Sequence, residues 1–210
     1  FMAVDFRDEA PAILKDYLIY KQTIKNMSKK TVDEYFIDLR TFFRFLKVMR
    51  GLVPDGTEFD EIKIDDVDLD LIKTVNLELA YDYMNFLYRD RNNKSASRAR
   101  KCSSLKGFFK YITNNKHLLD TNPVEQLESP KNKKALPKYL TLEQSIELLN
   151  AVDGNNKQRD YCILTLFLNC GLRVSEMAGL NYNDIHSDGT MRVVGKGNKE
   201  RLVPLGQVAC

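Results

Sequence analysis

Two stretches near the end of the chain decide how the rest is read: R-D-Y-C-I-L-T-L-F-L-N-C-G-L-R-V-S-E-M-A-G-L at residues 159–180, and M-R-V-V-G-K-G-N-K-E-R-L-V-P at residues 191–204. The first opens as an apolar run over 159–170, which predicts a buried helix. Gly171 interrupts it, and a short helix resumes over 174–180. Arg173 therefore stands directly after an apolar helix, at the start of the next. A guanidinium held near a core needs a partner or a task. It can grip two non-bridging phosphate oxygens at once, which suits phosphoryl transfer. It can equally pair with Glu176 at i, i+3 spacing. The second stretch reads as two strands, 191–194 and 202–203, around Gly195-Lys196-Gly197-Asn198. The flanking glycines carry Lys196 near the tip, where it either reaches a phosphate or a leaving oxygen or simply meets solvent. The loop lacks the glycine spacing, and the Ser or Thr after the lysine, that a Walker A loop requires.

Upstream, helical spacing dominates. Ile13, Leu14, Tyr17, Leu18 and Ile24 mark a helix over 10–25. Ser28 is placed to cap a second helix whose apolar face is Val32, Tyr35, Phe36, Leu39, Phe42, Phe43 and Leu46, ending near Gly51. Residues 51–75 are acidic, carry Pro54 and Gly56, and read as a loop with a short ordered turn at most. Residues 76–88 form a third helix with Leu77, Ala80, Tyr81, Met84 and Leu87 inward. Ser95 or Ser97 opens a fourth, with Leu105, Phe108, Phe109 and Ile112 on its apolar face. Residues 128–138 contain two prolines and four lysines and read as an exposed basic linker. Thr141 then caps a further helix, with Glu143 in its first turn. The expected fold class is mainly α with a small β-hairpin. A helical domain spans 1–127, a linker 128–138, and a second domain, helical and then hairpin, 139–210.

Hydrophobic residues make up 43% of the 210 and charged residues 29%, a globular balance. The net charge of +3 identifies no partner, but its distribution is uneven. Residues 21–50 hold eight Lys/Arg and three acids, residues 89–116 nine and one, and residues 55–82 two and ten. Two basic segments flank an acidic one, as solvated helix faces or as a polyanion surface. Lys29, Lys30, Arg98, Arg100 and Lys101 sit near the starts of two helices, where side-chain charge and helix dipole together favour phosphate. Cys102, Cys162, Cys170 and Cys210 show no C-x-x-C spacing, and His117 and His186 stand alone, so neither a zinc site nor a metal cofactor is expected. No apolar run is long enough to cross a membrane. Asp5, Arg7, Asp8 and Glu9 occupy the place of a signal-peptide core, so a cytoplasmic protein is expected.

The two opening stretches together resemble the start of the catalytic domain of the tyrosine recombinases, the lambda-integrase superfamily, and within it the Xer subgroup. S-K-K-T-V-D-E-Y-F-I-D-L-R-T-F-F-R-F-L and S-A-S-R-A-R-K-C-S-S-L-K-G-F-F-K-Y-I are similar to that subgroup's core-binding helices, and S-P-K-N-K-K-A-L-P-K-Y-L to its linker. The resemblance implies an N-terminal SAM-like core-binding domain followed by the first part of a mixed α/β catalytic domain. It implies Arg173 as the first catalytic arginine and Lys196 as the hairpin lysine. It further implies DNA contacts from Lys29, Lys30, Thr31, Tyr35, Ser95, Ser97, Arg98, Arg100 and Lys101. The linker would add Lys131, Lys133, Lys134 and Lys138, and the hairpin Lys199 and Arg201. The reaction implied is attack by a tyrosine on the scissile phosphate, giving a 3′-phosphotyrosine and a free 5′-hydroxyl without ATP or metal. The partners implied are a double-stranded recombination site and a homo- or hetero-tetramer of recombinases. The role would be chromosome-dimer resolution, tied to chromosome partition and cell division, or mobile-element integration. The family's His-x-x-Arg, its further His or Trp and its nucleophilic Tyr are expected beyond Cys210, so this polypeptide is expected to bind DNA and cleave nothing. A non-catalytic DNA-binding protein that keeps the fold is the alternative.

Overall fold

The computed structural model describes residues 9–131, 136–195 and 197–206. The chain divides into two compact units, Phe1–Lys134 and Ala135–Cys210. Among the described residues of the first unit, five α-helices surround one core: α1 (Ala12–Thr23), α2 (Lys29–Met49), α3 (Leu69–Lys73), α4 (Leu77–Arg89) and α5 (Ser95–Asn114). Ser28 starts α2 by accepting the Thr31 N–H at 3.3 Å. The stripe Val32, Phe36, Leu39, Phe42, Phe43 and Leu46 is fully buried, as its 3.6-residue spacing requires. Rings fill the centre, with Phe43 edge-on to Phe108 at 5.5 Å and Phe42 edge-on to Tyr83 at 5.1 Å.

Residues 51–75 are more ordered than the loop their composition suggests. A 3-10 turn (Phe59–Glu61) and α3 place Ile62, Ile64, Val67, Ile72 and Val75 in buried positions. The C-terminal half of α2 fastens this acidic segment. Arg44 donates to the Ile62 carbonyl at 3.0 Å, Lys47 bonds Asp66 at 2.7 Å, and Arg50 donates to the Thr74 carbonyl at 2.6 Å. Arg40, Arg44 and Lys47 of the first basic segment are thus paired with Glu9, Asp60 and Asp66, while Lys29 and Lys30 at the start of α2 stay exposed. α4 also departs from its expected face. Tyr83 is buried and Tyr81 is exposed, because the inward face runs through Leu79, Ala80, Tyr83, Met84 and Leu87, rotated from the expected one.

α1 and α5 approach closely at Gly107. A Cβ built there would lie 2.8 Å from the Tyr17 hydroxyl. Tyr17 is fully buried, and its hydroxyl has no hydrogen-bond partner among the described residues. Burial accordingly pushes its pKa far up. Gly107→Ala should destabilise the first unit by about 1–3 kcal/mol through overpacking, despite a gain of about 1 kcal/mol in helix propensity. Adding Tyr17→Phe should recover most of that loss. Urea unfolding of the two variants checks this, and a Gly107→Ala variant more stable than the parent would contradict it.

The second unit carries α6 (Leu142–Asn150), α7 (Lys157–Cys170), α8 (Val174–Ala178), a 3-10 turn (Tyr182–Asp184), β1 (Thr190–Val194) and β2 (Glu200–Pro204). Thr141 and Gln144 form a reciprocal capping box at the start of α6. The strands pair antiparallel from Thr190↔Pro204 to Val194↔Glu200, with Met191 and Val193 facing inward. α7 departs from the expected burial: only Thr165 and Leu166 are buried, and Tyr161 and Leu168 are exposed. Its apolar residues run around the helix, while the core beside it is only Leu166, Leu172, Met191 and Val193 with a few half-buried neighbours. A helix apolar on every side needs packing on every side, and this small core covers one.

Candidate nucleic-acid interface and catalytic arginine

In the second unit the elbow between α7 and α8 is built from local rules. Gly171 takes φ 58°, a left-handed cap that ends α7, and its N–H bonds the Phe167 carbonyl at 3.1 Å. The chain then turns inward at Leu172 and outward at Arg173, which caps α8 in extended conformation. Glu176 reaches back to accept the Arg173 backbone N–H at 2.9 Å. Its other oxygen takes the Arg173 guanidinium at 2.7 Å. From β2, Arg201 donates both terminal nitrogens to the same carboxylate, at 2.9 and 2.8 Å.

Glu176 is thus an anchor for two arginines. Its side chain is 1% exposed, whereas that of Arg173 is 70% exposed. The sequence alternatives for Arg173, a pairing with Glu176 or a free functional group, coexist: one terminal nitrogen is held and the rest of the fork faces solvent. Gly195 completes the arrangement. A Cβ there would stand 3.1 Å from Glu176 Oε1, so the root of the hairpin loop abuts the same carboxylate. The Gly195 N–H bonds the Lys199 carbonyl at 2.7 Å, closing the loop base, and Gly197 takes φ 78°. Lys196 itself lies outside the described residues. Nearby, Asp184 binds Arg192 at 2.7 Å and the Asn181 N–H at 2.9 Å, fixing the 3-10 turn to β1.

Arg201 first, then the Arg173 backbone N–H, hold the Glu176 carboxyl far below the usual carboxylate range. A depressed carboxylate stabilises the fold above its ordinary pKa, and that contribution is lost as pH falls below about 4.3. The Asn181 N–H and Arg192 lower Asp184 in the same direction. Glu176→Gln should therefore lower protection of the β1–β2 amides at neutral pH and weaken, without removing, their loss of protection as pH falls below about 4.3. Hydrogen exchange measures this, and an unchanged pH profile in the variant would refute the anchor.

In the first unit the expected DNA contacts separate into two groups. Lys29, Lys30 and Arg100 are exposed, and Thr31, Tyr35, Ser95 and Ser97 are half-buried near the starts of α2 and α5. Lys101 is a correction. It is buried, bonds Asp38 at 3.1 Å and Thr41 at 3.4 Å, and belongs to the core. Arg98 folds back, donating to the Asn93 carbonyl at 2.9 Å and lying 4.7 Å from the Tyr88 ring centroid. Arg201 is engaged by Glu176 as above. Lys131, Lys138 and Lys199 are exposed, and Lys133 and Lys134 lie outside the described residues. The residue that sequence reasoning missed is Asp38, 1% exposed, which joins α2 to Arg100, Lys101 and Ser104 of α5. The signal was present: an acid beside Leu39 on the apolar stripe, and Lys101 and Ser104 in helical register with Leu105 and Phe108. Among the described residues no cluster of His, Cys, Asp and Glu is placed to hold a metal ion.

Family models match both halves of the chain. The phage integrase family covers residues 138–210, and the N-terminal SAM-like domain of phage integrases covers residues 14–116. The chain belongs to the phage integrase family, the tyrosine recombinases. Among the integrase relatives it resembles is tyrosine recombinase XerC of Caldanaerobacter subterraneus subsp. tengcongensis, 49% identical over 95% of this chain and 56% of that protein. Tyrosine recombinase XerD of Halalkalibacterium halodurans is 32% identical over 93% of this chain and 60% of that protein. The chain therefore spans less than two thirds of the length of these relatives. Solved integrase structures share the fold. A lambda integrase (75–356) dimer bound to a COC′ core site matches with TM-score 0.61 at 18% identity, over 91% of this chain and 62% of that one. XerH site-specific recombinase bound to a palindromic difH substrate matches with TM-score 0.62 at 19% identity, over 91% and 52%.

Proposed function

We propose that this chain supplies the DNA grip and the first catalytic arginine of a site-specific recombinase that breaks and rejoins duplex DNA. The observation that carries the reading is the solvent-facing guanidinium of Arg173, held from behind by buried Glu176 together with Arg201 and the root of the hairpin. That arrangement fixes a planar cation at a surface, as stabilising charge on a phosphate in the transition state requires. A tyrosine hydroxyl attacks the scissile phosphorus, the P–O5′ bond breaks, and a 3′-phosphotyrosine forms. Lys196 gives its proton to the departing 5′-oxygen. The phosphotyrosine conserves the energy of the broken bond, so rejoining is the same step reversed, with no ATP and no metal. The recombinase would act as a tetramer on paired sites. No His-x-x-Arg occurs among the 210 residues, and this chain alone should retain DNA without forming a covalent adduct.

Lys29 and Lys30, exposed at the start of α2, position the duplex through its phosphates. Affinity should fall steeply with salt, and Lys29→Ala or Lys30→Ala should each reduce the slope of log K against log salt by about one. Fluorescence anisotropy of a labelled duplex across a salt series measures this. Binding insensitive to salt would overturn the reading.

A further inference from the structure

The cations around the start of α5 are not alike. Lys101 is sealed in the core and Arg98 is bound to its own turn. Arg100 differs from both. One terminal nitrogen lies 2.8 Å from Asp38 Oδ2, and its side chain is 45% exposed. Its Nε and second terminal nitrogen have no partner among the described residues. Asp38 cannot swing away, because Lys101 holds one oxygen at 3.1 Å and Ser104 donates to the other at 2.8 Å. A buried carboxylate, itself bonded by Lys101 and Ser104, therefore holds one end of an exposed guanidinium and leaves its Nε edge open.

That arrangement is poorly matched to a phosphate contact. Phosphates are attracted by charge and tolerate a mobile lysine, whereas Asp38 offsets much of the charge of Arg100 and restrains one of its terminal nitrogens. Glu34 argues the same way. Its carboxylate stands 4.0 Å from the same Arg100 nitrogen and is half exposed. Thr31, Tyr35, Ser103 and Ser104 complete with these two a cleft of about 180 Å3 between α2 and α5. An exposed acid on a DNA-facing rim repels the backbone but suits a base edge, where it accepts from the cytosine amino group. The open edge of Arg100, its Nε and second terminal nitrogen, matches guanine O6 and N7.

We infer that Arg100 and Glu34 form a base-reading pair that recognises a G·C base pair in the major groove, with Asp38 as the positioning residue behind Arg100. The inference rests on the proposed function. Lys29 and Lys30 supply attraction, and Arg100 supplies discrimination.

The experiment selects bound duplexes from a library of randomised sequence with the parent chain, Arg100→Ala, Arg100→Lys, Glu34→Gln and Lys29→Ala. The parent should enrich a site containing a fixed guanine. Arg100→Ala should lose preference at that base pair alone, by on the order of ten- to a hundredfold. Arg100→Lys should lose it equally, because an ammonium keeps the charge without the fork. Glu34→Gln should weaken the preference at the same base pair, and Lys29→Ala should lower retention of all sequences together. Retained guanine preference in Arg100→Lys, or a uniform fall in Arg100→Ala, would overturn the inference. So would a parent chain that binds in a salt-sensitive way yet enriches no sequence. A parent whose binding ignores salt overturns the proposed function itself, so the two failures are distinguishable. Lys101 and Ser104 still hold Asp38 when Arg100 is changed, and Glu34 is half exposed, so these variants should fold as the parent does, which thermal melting verifies.

Discussion

In a full-length recombinase carrying this chain, Arg173→Ala should leave retention of the recombination site nearly unchanged and lower the rate of strand cleavage by on the order of a thousandfold or more. The separation follows from where the charge develops. A bidentate grip contributes most when negative charge accumulates on the phosphate oxygens, so its loss is felt in the transition state rather than in the bound complex. The fold should survive. The group that caps α8 through Glu176 is the Arg173 backbone N–H, which alanine retains, and Arg201 still holds the carboxylate. Arg173→Lys should recover little activity, since an ammonium cannot reproduce a planar fork. Gel retention and single-turnover cleavage on the same duplex read the two effects. A parallel loss of binding and cleavage would show that Arg173 acts as a structural pair with Glu176.

Lys196→Ala should slow cleavage by about a hundred- to ten-thousandfold, the range lost with a general acid. Gly195 and Gly197 flank this lysine, and the Gly195–Lys199 hydrogen bond closes the loop at its base. Glu176 abuts Gly195 and holds Arg173, so one buried carboxylate ties the loop root to the arginine elbow. Widening Gly195 should therefore reach both groups: a Cβ placed 3.1 Å from Glu176 Oε1 must displace it or the strand. A Lys196→Ala enzyme that cleaves at the parent rate would remove the lysine from the chemistry.

Much of this architecture was legible because helix periodicity and capping are local. Ser28 and Thr141 cap the helices their positions suggest, and the α2 stripe is buried at every expected position but Tyr35, which is half-buried. The failures came where distant charges decide. Ile62, Ile64, Val67, Ile72 and Val75 follow no single period and stand among acids, so the segment reads as a loop until Arg44, Lys47 and Arg50 are seen to fasten it to α2. Lys101 reads as a DNA contact because composition shows its charge and hides its partner, Asp38, on another helix. α7 reads as buried because apolar content says nothing of how much neighbouring surface covers it. At the site, Arg173 is suggestive from its place after an apolar helix, yet the role proposed for it comes from family resemblance. Its anchor was beyond local reasoning, since Arg201 meets Glu176 from 25 residues away.

The roles assigned to the two residues are separated by one measurement: a time course of covalent protein–DNA adduct for Arg173→Ala and Lys196→Ala, each on an ordinary duplex and on one carrying a 5′-phosphorothiolate at the scissile bond. A thiolate leaves without a proton, so a missing general acid no longer matters, whereas charge on the phosphate oxygens still needs an arginine. The sulfur substrate should restore adduct formation to Lys196→Ala and leave Arg173→Ala inactive. Equal rescue of both variants, or none for Lys196→Ala, would contradict the two roles.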